Sequence, residues 1–217
     1  MIIFNPSSLK AALLFASNDE EHIATNCVRI EVDGGTALPR FVAVNGIALA
    51  VVALPQPLGY SCAEPFAASI SRPMCGAVLA VAQQQPESEF QLALLDSGNC
   101  LAISGQNPGD PDIATVWQDA CPIPYPDWRK ALPPAGPRNQ LLDPEWAMAE
   151  APMQLIAKAA KELGGRASRI QMVEAPGNRL EARIAGVEHF YAMVMKPTPE
   201  TIDWQPEFVF SGGGGAA

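Results

Sequence analysis

The chain has 217 residues, 48% of them hydrophobic, which is enough to build the core of one large domain or of one domain and part of a second. Its net charge of −9 at pH 7 excludes a protein that coats nucleic acid with its whole surface, because affinity for phosphate needs cations set against it; a local basic stripe stays open. Five scattered cysteines, never in a C-x-x-C pair, indicate neither a disulfide framework nor a zinc site. No run of about 18 uncharged apolar residues is present, and residues 1–15 lack the basic start and cleavage pattern of a secretory signal, so the expectation is a soluble, cytoplasmic protein that does not span a membrane.

In chain order, Asn5-Pro6-Ser7-Ser8 reads as a helix start with Ser7 or Ser8 as cap, and Leu9, Ala12, Leu13 and Ala16 at helical spacing carry the helix to about Ser17. Residues 27–32 alternate with period two and stop at Asp33-Gly34-Gly35. Arg40 to Leu54 is then a long apolar run interrupted by Asn45-Gly46, a hairpin turn signal, which predicts three strands. Ser69 to Pro73 opens a second helix that runs to Gln85, and three strands follow at 90–95, 100–104 and 113–117. Residues 122–138 hold six prolines and form a linker. A third helix is predicted to start at Asp143-Pro144, to kink or break at Pro152 and to be surest over 151–163, with strands after it at 169–173, 179–185 and 190–195. The twenty-one prolines and seventeen glycines fit many short strands and tight turns.

The fold class is therefore α+β, with repeated units of one helix plus three or four antiparallel strands and the helices on one face of the sheets. The expected domains are 1–120, holding two such units, a Pro-rich linker at 121–138, a half domain at 139–197 and a tail at 198–217. In the tail, Trp204, Phe208 and Phe210 are suited to dock on the body.

Two stretches carry a family resemblance. Tyr125-Pro126-Asp127-Trp128-Arg129-Lys130-Ala131-Leu132-Pro133 resembles the F-P-D-Y-R-R-V-L/I-P segment joining the second and third domains of the bacterial DNA polymerase III beta subunit, the sliding clamp. Tyr191 to Pro197 resembles that family's closing Y-V-V-M-P-M-R. Residues 26–32 and 41–50 are similar to its L-N-G-V-R-L-E and L-V-A-T-D-G-H-R-L-A strands, in the family's order. The resemblance implies a shortened clamp, its second domain followed by the latter half of its third, that forms a ring as a homo-oligomer with helices toward the DNA. It also implies a pocket for short apolar peptides of DNA polymerase or clamp-loader-like proteins, made by Thr25, Val44, Gly46, Ile47, Ala48, Leu49, Pro126, Lys130, Ala131, Met193 and Met195. The family's His-Arg pair is replaced by Ile47-Ala48 and its last M-P-M-R by Met195-Lys196-Pro197, so peptide specificity departs from the family's.

Cations toward the DNA would be Lys10, Arg72, Lys158 and Lys161, joined by Arg166 and Arg169, a thin set for which a solvated helix surface is the competing reading. The alternative function is a non-ring interaction module, of phage or mobile-element origin, that captures clamp-binding peptides or docks on a host clamp. Gln91 to Leu95 is similar to the peptide that clamp partners insert, but it falls on a strand and reads as core. The Gly pairs lack a following Lys-Ser/Thr, His22 and His189 have no ligand partners at metal spacing, and Ser7, Ser69 and Ser104 sit in no nucleophile elbow. No constellation asks for a cofactor, a metal or a catalytic reaction, and the expectation is a non-enzymatic protein.

Overall fold

A computed structural model describes residues 2–35, 37–58, 65–84, 89–94, 100–106, 114–119, 124–134, 150–164, 170–177 and 179–195. The first segment is a three-residue strand, β1 (Ile2–Phe4), that the sequence reading did not contain. Helix α1 (Pro6–Leu13) follows, and its cap is Asn5 rather than a serine: Asn5 Oδ1 accepts from the Ser7 amide at 2.8 Å while Pro6 takes the first helical turn, where its missing N–H is no loss. The α-helix ends before Ser17, because the Phe15 and Ala16 amides bond three residues back, to Ala12 and Leu13, and tighten the last turn.

Strands β2 (Cys27–Val32), β3 (Arg40–Val44) and β4 (Ala48–Ala53) lie where alternation and the Asn45-Gly46 turn put them. Gly46 has φ +91°, and the Asn45 side chain accepts from the amides of Ile47 and Ala48. Residues Phe66–Ser71 form a strand, β5, where the reading placed a helix start at Ser69 and Ile70; α2 (Arg72–Gln84) begins only at Arg72. Pairing of all six β5 residues with β2 outweighs the local cap signal, and Ser71 Oγ still accepts from the Met74 amide. Strands β6 (Glu89–Leu94), β7 (Cys100–Gln106) and β8 (Ala114–Asp119) complete the second unit.

Helix α3 is described over Glu150–Glu162 and runs through Pro152 without the expected break, Pro152 being in its first described turn. Strands β9 (Ile170–Ala175), β10 (Arg179–Ile184) and β11 (Val187–Met195) follow. The expected helix start at Asp143, the cations Arg166 and Arg169 and the tail 198–217 lie outside the described residues.

Among the described residues the strands form two antiparallel sheets. One has four strands in the order β1-β6-β7-β8, the other seven in the order β5-β2-β3-β4-β11-β10-β9. β1 precedes the first helix yet pairs in the second unit's sheet, and β5 precedes the second helix yet pairs in the first unit's, so the two units exchange a strand. The Gln56 side chain bonds both the amide and the carbonyl of Ile3 and so occupies backbone groups of β1. Across the linker, β11 pairs with β4 from Phe190↔Val52 to Val194↔Ala48, which makes the third unit a continuation of the first unit's sheet.

Period-two alternation divides the seven-stranded sheet. Val28, Ile30, Phe41, Ala43, Ala48, Ala50, Val52, Phe190, Ala192 and Val194 enter one core with Leu9, Ala12 and Phe15 of α1, Val78 of α2 and Ile156 of α3. Phe4 meets Phe41 edge-on at 5.1 Å, and Phe15 lies 6.2 Å from Phe190. Helix α1 packs against both α2 and α3. The helices are thus on one face of the seven-stranded sheet.

Candidate peptide and DNA surfaces

The opposite face carries a second, smaller apolar cluster. Val42 and Leu49 are buried there with Met193 and Trp128, and Val44, Val51, Tyr125, Ala131, Leu132 and Tyr191 pack around them. Register explains the set: Val44, Leu49 and Met193 are cross-strand neighbours in one row of β3, β4 and β11, and Val42, Val51 and Tyr191 form the next row. At the open end of these rows the Met195 amide donates to the Ile47 carbonyl at 2.8 Å, and both side chains face solvent, Ile47 52% and Met195 40% exposed.

The linker is laid onto this face by a single 3-10 turn, Trp128–Ala131. Its Trp128 is 7% exposed, a burial worth about 2 kcal/mol for a large apolar side chain. The ring lies between two guanidinium groups, Arg129 at 4.6 Å and Arg40 at 5.6 Å from its centroid, and Arg29 lies 5.4 Å from the Tyr125 ring. The Tyr125 hydroxyl donates to the Val42 carbonyl at 3.2 Å, and burial pushes its pKa up.

Beneath the turn, Glu31 accepts from Arg40 Nε at 2.9 Å, Arg129 Nη2 at 2.8 Å and Arg29 Nε at 3.3 Å, and Asp33 pairs with Arg40 and Arg129 as well. Burial opposes ionisation of Glu31, but the bond from Arg40 and the charges of Arg129 and Arg40 outweigh it and hold the carboxyl below its ordinary pKa. The Arg40 bond does the same for Asp33.

Of the residues expected in a pocket, Val44, Leu49, Ala131 and Met193 come together in the outer cluster, and Ile47 with Met195 form its exposed end. Ala48 does not belong there: it is 3% exposed within the helix-side core, because neighbours on a strand point to opposite faces. Gly46 serves the turn. Thr25 is half-buried and bonds the His22 carbonyl within its own loop. Pro126 is exposed, and Lys130, 84% exposed, pairs with Asp127 three residues back. The sequence reading missed Val42, Val51, Trp128, Leu132 and Tyr191 as members of this face, although the alternation that selects Val44 and Leu49 also selects Val42 and Val51.

The four cations expected to face DNA fare differently. Arg72 is a correction: its guanidinium donates to the Ala16 and Ser17 carbonyls and to Asn26 Oδ1 at 2.9–3.1 Å, closing the end of α1. Lys10 pairs with Glu162 at 2.9 Å and so links α1 to α3. Lys158 and Lys161 are exposed on α3, and neither has an ion-pair partner among the described residues. A cavity of about 470 Å³ opens beside the start of α1, lined by Asn5, Ser7, Leu54, Glu162 and His189 among others, and burial lowers the His189 pKa. Among the described residues no group of three or more His, Cys, Asp or Glu is placed to hold a metal, and no helix is long and apolar enough to cross a membrane.

No family model matches the sequence, and no curated protein does. Solved structures match in fold. The DNA polymerase III beta subunit of Thermotoga maritima aligns over 92% of this chain and 66% of its own, with TM-score 0.67 and 14% identity. The beta subunit of Borrelia burgdorferi, solved in complex with a natural product, gives 0.64 and 12% over 92% and 64%. The DNA polymerase sliding clamp of Pseudomonas aeruginosa gives 0.62 and 14% over 91% and 66%. The chain spans just under two thirds of the length of these relatives. Its helices on one face of the seven-stranded sheet, and its linker turn on the other against β3, β4 and β11, are arranged on the fold of the bacterial DNA polymerase III beta subunit, the sliding clamp.

Proposed function

We propose that this protein is a clamp-like processivity factor that tethers DNA polymerase or clamp-loader-like proteins through short apolar peptides, as a homo-oligomer around duplex DNA. The observation that carries the reading is the outer apolar strip, which is walled by the Trp128 turn and ends in solvent at Ile47 and Met195. Leu and Phe side chains of an extended peptide suit such a strip, and the thioethers of Met193 and Met195 adapt to different sequences. Residues 1–120, the linker 121–138 and the half domain 139–197 act as one platform in this reading. Its function is to hold partners, and no reaction is assigned to it.

Lys158 and Lys161 are the cations of α3 offered to DNA. Two lysines give weak, non-specific phosphate attraction, and encirclement rather than affinity keeps such a ring in place. The test is light scattering on a sizing column with circular and linear duplex. A dimer or tetramer retained on closed circles and lost when they are cut supports the ring, and Lys158→Glu with Lys161→Glu should weaken loading. A monomer indifferent to DNA leaves a peptide-capture module without a ring.

A further inference from the structure

We propose that the third unit is completed by a second copy of this chain: the outer edge of β9 and the adjoining flank of α3 form a self-association face, and its occupant is the same face of another protomer across a two-fold axis; this deepens the homo-oligomer reading and rests on it. The first two units show how a unit is completed within one chain. Strands β2 and β6 are the first strands after α1 and α2, and each carries on its edge a strand contributed by the other unit, β5 on β2 and β1 on β6. Helix α1 lies against α2 at the same time. The third unit has the same parts, α3 followed by β9, β10 and β11, but among the described residues β9 has a strand on its β10 side only. A row of backbone donors and acceptors left open in this way is a template for another chain.

The side chains beside that edge are apolar and incompletely covered. In β9, Ile170 and Met172 stand opposite Ile184 and Ala182; the partners are 2% and 1% exposed, whereas Ile170 and Met172 are only half-buried against the same core. In α3, Glu162 reaches Lys10 of α1, and Leu155, two turns earlier, lies on that same flank. The opposite flank carries Met153 and Ala157, one turn apart and both half-buried. Helix α1 packs on β2, β3 and β4 and α3 on β9, so the flank turned away from α1 is the one toward the β9 edge. Lys161 and Glu174 border the patch and are opposite in sign, so two copies brought together do not face a field of one sign. A two-fold contact sets Met153, Ala157, Ile170 and Met172 against themselves and buries each of them twice over.

The experiment is sedimentation of the full chain over a concentration series, with Ala157→Arg as the interface variant and circular dichroism as the check on its fold. The unsubstituted chain should associate, and Ala157→Arg should raise the dissociation constant at least about tenfold. In a second measurement Ala157→Cys, a mild change, is treated with a short thiol cross-linker, and mass spectrometry of the joined peptides should find residue 157 linked to residue 157 of another copy. Ala80→Cys, exposed on α2, should give no such pair. If Ala157→Arg does not fold, the cross-link decides. A chain that is monomeric at every concentration would overturn the contact. So would association that Ala157→Arg leaves unchanged and that yields no 157 pair, or a pair at residue 80 in its place. Retention on circular duplex without the 157 pair would overturn this face and leave the ring standing, whereas the 157 pair without retention would leave the face and remove the ring.

Discussion

The Arg129 guanidinium donates to the Glu31 carboxylate at 2.8 Å across 98 residues of sequence, and so fastens the linker to the second strand of the sheet it crosses. Glu31 is 4% exposed but lies just under the outer surface, while Arg129 is nearly half exposed, so the pair is neither a deep nor a free surface bridge. Arg129→Ala should cost about 1 kcal/mol. Glu31→Gln, which leaves Arg29 and Arg40 facing a neutral amide, should cost about 2 kcal/mol. Urea unfolding of both single variants and the double variant measures this, and the losses should be clearly non-additive.

Acid should act through the same group. Because the folded-state pKa of Glu31 is held below its ordinary value, its stabilising contribution is complete above about pH 4.3 and is lost as pH falls through the lower folded value. The urea midpoint of the unsubstituted chain should therefore drop between pH 5 and 3 by more than that of Glu31→Gln. Parallel pH curves would contradict the assignment.

Arg72→Ala should lower stability by about 2 kcal/mol, since the Ala16 and Ser17 carbonyls lose a charged donor, and should leave DNA retention unchanged. Lys158→Ala with Lys161→Ala should do the reverse. Thermal unfolding and retention on circular duplex, run on the same preparations, separate the two roles.

Ile47 and Ala48 are chain neighbours on opposite sides of the sheet. Ile47→Asp, at a half-exposed side chain, should change stability by less than about 0.5 kcal/mol while weakening peptide binding about tenfold. Ala48→Asp buries a carboxylate in the helix-side core beside its cross-strand partner Val194 and its same-face neighbour Ala50, and should prevent folding. Expression level with calorimetry settles the second, and fluorescence anisotropy with a labelled peptide the first.

Cys75 is fully buried against α2's neighbours, and desolvation pushes its thiol up to about 12. It should resist a thiol reagent at pH 8 in the native chain and react once urea is added, which mass spectrometry of the modified peptides would record.

Long, strongly alternating strands were legible in the sequence, and so was the Asn45-Gly46 hairpin, because period two and a left-handed turn position are local demands that few residues meet. β1 and β5 were not. Three residues are too few to show a period, and Phe66-Ala-Ala-Ser-Ile-Ser combines weak strand formers with a serine-rich helix start, so its pairing with β2 decides the outcome. Within the outer face, Val44, Leu49 and Met193 followed from the resemblance, and so did Ala48, which strand parity sends to the other side. Arg72 looked like a free helix cation because nothing local announces that Ala16 and Ser17, 56 and 55 residues earlier, end beside it.

Among the described residues, the strands of the latter part of the chain, β9, β10 and β11, all lie in the same sheet as β2, β3, β4 and β5, joined to it by the pairing of β11 with β4. A single backbone cut between residues 135 and 149 should therefore leave two fragments that co-migrate under native conditions and part only in denaturant, and the fragments made separately should recover the native spectrum when mixed. Between them, Phe15 of the first piece and Phe190 of the second would meet as strangers and still close the same core.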